Sequence, residues 1–283
     1  MFKRAPKLDK PTLERRVLRQ DASGAQLVVW TDEALFEKAQ VRVAFSERWG
    51  GMSAGGYGSL NLATHVEDDP DCVSTNRNLL MDALGLAGMP LVVPKQVHGD
   101  RVAVLSRANV QSVDEYRTLV AKGADAMLIE PRGVAGIMNF ADCVPIVIVA
   151  PSGRFCIVHA GWRGVENGIV TKALHKLMLG EPGLAVDASH VNVYRGAYIH
   201  AECFEVGEDV RDLFIEQFER KVVHDETHID LGRALDISLV KAGVDPTRIA
   251  DVDRCTVCDN AHWFSYRAQG GVCGRHAALC AAV

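Results

Sequence analysis

No stretch of this 283-residue chain approaches the ~18–20 consecutive apolar residues that cross a bilayer, so no helical membrane span is expected. An excess of charge is missing too. Lys and Arg number 31 against 36 Asp and Glu, a net charge of −5, too mild for a global field that would hold nucleic acid or an anionic membrane. No repeat at a solenoid period and no low-complexity tract occurs. What remains is ordinary: 48% hydrophobic and 24% charged residues, which excludes disorder over most of the chain and allows a sizeable core. The length fits one large domain or two small ones.

The eight cysteines (72, 143, 156, 203, 255, 258, 273 and 280) are the informative part of the composition. In a short secreted chain they would suggest a disulfide framework. Here the first twenty residues are basic (Lys3, Arg4, Lys7, Lys10, Arg15, Arg16, Arg19) without an apolar run behind them, and Asp9 and Glu14 interrupt the charge. Residues 1–22 therefore read as a polar basic extension ahead of a catalytic domain at 23–283. The expected compartment is the reducing cytoplasm, where cysteines are buried, ligate metal or do chemistry.

Short β-rich runs bounded by Gly, Pro or Asp follow in quick succession: Gln26–Thr31, Val41–Ser46, Leu91–Val93, Arg101–Leu105, Val134–Phe140, Pro145–Ala150 and Phe155–Val158. The runs around Ile137 and Val147 are apolar on successive residues and should be buried on both faces. Val165, Ile169, Ala173 and Leu177, widened by Val170, Leu174 and Met178, predict a helix over 165–179, with Gly180 and Pro182 as its stop. Further helices are predicted over 71–84, 207–218 and 231–242, and a short one after Gly274. Ser106–Lys122 reads as a polar loop. Helices and strands are interspersed without alternating one for one, so the fold class is α+β: a single large domain with mixed β-sheets packed by helices.

Three segments place a metal-capable residue where an apolar strand ends: Gln96-Val97-His98-Gly99, Ala141-Asp142-Cys143-Val144-Pro145 and His159-Ala160-Gly161-Trp162-Arg163-Gly164. Two imidazoles and one thiolate supply three ligands and leave a fourth position for water, which is how a catalytic zinc site differs from a closed structural one. Separations of 45 and 16 residues fit no local finger pattern. Taken singly, a buried Cys is ordinary packing and a His after a strand an ordinary cap.

These three segments are similar to motifs of the multicopper polyphenol oxidoreductase (laccase-domain, YfiH-like) family, whose members are described as purine nucleoside phosphorylases. The resemblance extends to GMSAGGYGSLNLATHVEDDPDCVSTNR at 51–77, CFEVGEDV at 203–210 and WFSYRAQGGVCGR at 263–275, and so covers roughly residues 45 to 280. Two departures stand out. Glu67-Asp68 replaces the family's usual Gly-Asp pair, and residues 195–202, RGAYIHAE, replace its usual G-P-A-I-G-P segment. If that loop lines the pocket, His200 and Glu202 alter substrate choice.

The resemblance implies a zinc ion, with copper as the other candidate, held by His98, Cys143 and His159. It implies cleavage of the N-glycosidic bond of adenosine, inosine or S-methyl-5′-thioadenosine by phosphate, with adenosine deamination as a side activity. The partners are then a purine nucleoside and phosphate. Phosphorolysis needs a cationic phosphate site: Arg163 stands in the turn after His159, ahead of a helix, and Arg267 and Arg275 are further candidates, whereas Arg77 reads as structural. Asp142 either caps its turn or acts beside Cys143 as an orienting group, acid or base. Ser53, Asn61 and Gln96 are small polar residues placed to position the sugar.

Other readings compete. Cys143 as a nucleophile with His159 or His98 as its base would make an amide hydrolase, such as one editing peptidoglycan precursors. Copper-dependent phenol oxidation needs several coppers, and no second His-rich cluster is visible. A zinc-stabilised interaction module is a third class, weakened by the open three-ligand site. Cys255-x2-Cys258 and Cys273-x2-His276 have the spacing of a structural zinc ribbon, but the family carries no ligands at 273 and 276, so these cysteines are expected to pack. His224–His228 imitates a metalloprotease helix with its Glu one place late, and reads as an exposed turn.

Overall fold

The computed structural model describes residues 7–20, 24–106, 113–179 and 187–283. In chain order the elements begin β1 (Glu14–Gln20), β2 (Gln26–Thr31), α1 (Glu33–Ala39), β3 (Val41–Ser46), α2 (Pro70–Ala83), β4 (Leu91–Val92) and β5 (Val102–Leu105). Then come α3 (Val113–Val120), β6 (Ala126–Ile129), β7 (Val134–Phe140), β8 (Val144–Val149) and β9 (Phe155–Ala160). The last are α4 (Trp162–Glu166), α5 (Ile169–Leu179), β10 (Asn192–Arg195), α6 (Glu208–Phe218), α7 (Leu231–Lys241), β11 (Ile249–Asp251) and β12 (His276–Ala282). The strands form two six-stranded mixed sheets, ordered β1-β2-β3-β12-β7-β4 and β11-β10-β8-β9-β6-β5.

Period-2 alternation explains why the central strands are apolar on every residue. Along β7, Met138 and Phe140 join the core between the two sheets, while Ala135 and Ile137 face α2 with Leu80. Along β9, Phe155 and Ile157 face the other sheet, and Cys156 and Val158 face α5 and α7 with Ala173, Leu177 and Leu235. The layers thus run helix, sheet, sheet, helix. The sheets approach closely at Gly136, where a Cβ would lie 2.9 Å from Ile129 Cδ1 and 3.0 Å from Ile157 Cδ1. Gly136→Val overpacks that seam and should cost about 1–3 kcal/mol, measured as a lower urea midpoint at unchanged slope; an unchanged midpoint would show that the seam is loose.

The helices predicted over 71–84, 207–218 and 231–242 are present. Asp69 caps α2 ahead of Pro70, and Asp230 caps α7 through the Arg233 amide. The stripe from Val165 to Met178 is buried as expected, but it is carried by two helices, broken where Gly168 takes a φ of +71°. The stop at Gly180 and Pro182 lies outside the described residues. The segment 224–227 is exposed, as read, with the His224 amide bonded back to the His228 carbonyl.

Three expectations need correction. The segment after Gly274 is the strand β12, not a helix: its alanines favour helix in isolation, but it is buried throughout between β3 and β7, and pairing overrides propensity. The 106–122 segment contains α3, which buries Tyr116 and Val120 one turn apart. The polar stretch Glu14–Gln20 is not a loose extension but the edge strand β1, paired with β2 and tied by Arg15 to Glu47. α1, β6, β10 and β11 have no counterpart in the sequence reading.

Candidate metal centre

Sequence alternation puts His159, next to last in β9, on the same face as Phe155 and Ile157, between the sheets and against Phe140. Cys143 stands in the tight turn joining β7 to β8, across from it. His98 reaches the same point from the loop after β4. Its backbone is left-handed at φ +57°, and Asp142 beside Cys143 is at +87°, two departures from the usual regions that only a surrounding network sustains.

That network centres on Asp125, a fully buried residue just ahead of β6. Its carboxylate accepts from the backbone amides of Val97 (3.2 Å), His98 (2.9 Å) and Gly99 (2.8 Å). It also bonds His159 Nδ1 at 2.8 Å, which leaves Nε2 to face Cys143. Burial works to raise the Asp125 pKa, but the His159 and amide hydrogen bonds outweigh it and hold it below the usual range. One carboxylate therefore sets both the His98 loop and the tautomer of His159, the support that metal-ligating histidines need.

The ligand atoms of His98, Cys143 and His159 all lie within 4.8 Å of one another. Cys143 Sγ is 3.9 Å from His98 Nδ1. Burial would raise the Cys143 thiol, yet His159 and His98 bring it down to about 6. His159, which burial alone would lower, is pushed up to about 9 by Cys143 and Asp125. A thiolate beside two imidazoles is a donor set for a borderline cation, and its binding would displace the shared protons. The space for an ion is kept by Gly161: a Cβ there would stand 3.1 Å from Cys143 Sγ and 3.2 Å from His98 Nδ1. The residues present fit a zinc-class ion.

His98, Cys143 and His159 form the floor of a cavity of about 420 Å³. Gln96, Asp142, Arg267 and Arg275 join them, with Ile199, Phe204 and Tyr266 as an apolar wall and His65 beside Arg275. The cavity's enclosure, Arg275 and Arg77 all lower the His65 pKa, so the ring is neutral near pH 7. The divergent loop 195–202 reaches the pocket through Ile199, with Phe204 just beyond it, but neither His200 nor Glu202 lines the cavity. A depression of about 470 Å³ beside Ile237 and Val240 is not a rival centre: its carboxylates Asp236 and Asp251 are both bound by Arg195.

Several sequence candidates take other positions. Arg163 is exposed, with its guanidinium 4.3 Å over the Trp162 ring, and is not part of the cavity lining, because the first turn of α4 turns it outward. Ser53 and Asn61 are buried in a network with Asp68 and Asn76, and Asn61 reaches the site only by accepting the Arg275 amide. Gln96 pairs with both backbone groups of Asn139, fixing the His98 loop to β7. Both Asp142 oxygens accept hydrogen bonds, from Thr256 Oγ1 at 2.6 Å and the Arg267 amide at 2.7 Å, so it clasps two loops. Arg77 donates to the Leu62 carbonyl, a structural role as expected. Cys273 and His276 do not meet Cys255 and Cys258. Cys273 Sγ accepts from Arg275, and the His276 ring is buried against Trp263 and Phe140, where burial pushes its pKa down to about 3.

Among the described residues no helix is long and apolar enough to cross a membrane. A family model described as multi-copper polyphenol oxidoreductase laccase matches residues 42–282. The chain is 35% identical over 228 residues to adenosine deaminase RL5 of an unknown prokaryotic organism, covering 77% of this chain and 85% of that one. It is 33% identical over 245 residues to a purine nucleoside phosphorylase of Corynebacterium glutamicum, covering 84% and 93%. The crystal structure of YlmD from Geobacillus stearothermophilus superposes with a TM-score of 0.78 at 28% identity, covering 94% of this chain and 98% of that one. Match, motifs and fold agree: the chain belongs to the multi-copper polyphenol oxidoreductase laccase family.

Proposed function

We propose that this protein is a zinc-dependent purine nucleoside phosphorylase that acts on adenosine, inosine and S-methyl-5′-thioadenosine, with adenosine deamination as a side activity. The observation that carries the reading is one cavity that combines an open three-ligand metal floor with two arginines and an aromatic wall. Relatives named as purine nucleoside phosphorylases and as an adenosine deaminase place the protein among enzymes of purine metabolism. A divalent ion on His98, Cys143 and His159 would supply Lewis acidity, polarising a bound base or lowering the pKa of a water. Among the described residues only one other group could hold a metal, and it contains no histidine, which disfavours the several coppers of phenol oxidation.

In phosphorolysis a phosphate oxygen attacks the anomeric carbon, the bond from that carbon to the base nitrogen breaks, and the base leaves with the electron pair and takes a proton. Arg267 and Arg275 face the cavity and neutralise the attacking phosphate. Phe204 and Tyr266 offer flat apolar surface to the purine. Arg275 is the cleaner arginine to test, because its guanidinium bonds only its neighbours Cys273 and Gly274. Losing a charged hydrogen bond costs about 1.5–3 kcal/mol. Arg275→Gln should therefore raise the KM for phosphate roughly 10- to 150-fold with little change for the nucleoside; an unchanged KM for phosphate would remove Arg275 from the role.

The test of the reaction is metal-defined protein incubated with adenosine, inosine and methylthioadenosine, with and without phosphate. Base released only with phosphate supports the reading. Inosine from adenosine without phosphate would make deamination the main activity, and no turnover of any of the three would refute the purine assignment. Cys143 as a nucleophile remains the second reading, favoured by its lowered pKa beside two imidazoles.

A further inference from the structure

Cys203, Cys255 and Cys258 are 52 and 3 residues apart along the chain, yet their sulfur atoms and a Glu202 carboxylate oxygen all lie within 4.8 Å of one another. We propose that these four residues bind a second divalent ion of the zinc class, separate from the His98–Cys143–His159 centre, and that it staples one wall of the cavity. The inference does not depend on the reaction assigned above.

Three features carry it. All three cysteines are free thiols, and Cys203 Sγ lies 3.5 Å from Cys258 Sγ. A disulfide requires about 2.05 Å, whereas two thiolates on tetrahedral zinc, each bonded at ~2.3 Å, stand roughly 3.7 Å apart. Four donors close the coordination sphere, which marks a structural ion rather than a catalytic one. Cys255 Sγ already accepts the His200 backbone amide at 3.4 Å, the outer support that fixes a ligating sulfur.

The place in the fold says what the ion does. Glu202 and Cys203 sit on the loop that brings Ile199 and Phe204 to the cavity, while Cys255 and Cys258 sit on the one that runs on to Tyr266 and Arg267. Between these loops lie the Thr256 amide on the Tyr198 carbonyl and Arg267 on the carbonyls of Cys203 and Glu205. Glu202 and Cys258 are exposed, so little apolar packing supports the wall there. A metal cross-link is how such a thin layer is made rigid.

The test is metal counting per chain in reduced protein titrated with zinc against a competing chromogenic chelator. Wild type should bind two equivalents, Cys143→Ala and Cys258→Ser one each, and the double variant none. Cobalt loaded into Cys143→Ala should show a thiolate-to-cobalt charge-transfer band that disappears in Cys143→Ala/Cys258→Ser. His98→Ala, which removes an exposed ligand, replaces Cys143→Ala if that variant fails to fold. One equivalent in wild type, or equal binding with and without Cys258, would overturn the proposal. So would protein that takes up no zinc and whose mass shows a Cys203–Cys258 disulfide.

Discussion

Asp125→Asn is expected to weaken metal binding about 10- to 100-fold, as losses of outer support at metal sites do, although Asp125 touches no ion itself. Its two oxygens meet only donors: three backbone amides and His159 Nδ1. An amide side chain must turn its own NH2 toward one of them, leaving buried donors face to face, at a cost of about 1–3 kcal/mol. The His98 loop then loses its anchor and His159 loses the carboxylate that fixes its tautomer. Competition with a chromogenic chelator reads the affinity, and thermal unfolding of the stripped protein reads the structural cost. Unchanged affinity would mean that the ligands are organised without Asp125.

Cys143→Ala should lower kcat/KM for phosphorolysis by roughly a thousandfold, because a bound ion supplies several kcal/mol of transition-state stabilisation. The KM for the nucleoside should change much less, since the wall of Ile199, Phe204 and Tyr266 is untouched. The variant should also retain no metal at this centre. Turnover within tenfold of the parent would show that the thiolate is dispensable as a ligand.

The cluster of His98, Cys143 and His159 was legible in the sequence because each ends an apolar strand within a distinctive motif. Their support was not. Asp125 precedes Ala126–Ile129, a strand too short to be read beside the 106–122 segment, and a lone Asp ahead of four apolar residues was the only signal. Arg163 illustrates the converse: it lies in the motif, but one turn of helix carries it onto Trp162 and away from the cavity. Ser53 and Asn61 are polar for burial with Asp68, a role that spacing does not distinguish from sugar binding. The central strands were legible from their continuous apolar runs, whereas β12, rich in alanine, is a strand only because β3 and β7 flank it. Cys255 and Cys258 looked paired with Cys273 and His276 by spacing. Only the fold brings Cys203 to them instead.

The central claim is that the His98–Cys143–His159 centre works through a metal ion rather than through a free thiolate. The direct test is phosphate-dependent base release by the wild-type protein before chelation, after chelation and after zinc is titrated back. Activity should vanish on stripping and return in full when zinc is restored, whereas Cys143→Ala should not regain it. Activity that survives stripping, or rises with it, would contradict the claim and make Cys143 a nucleophile.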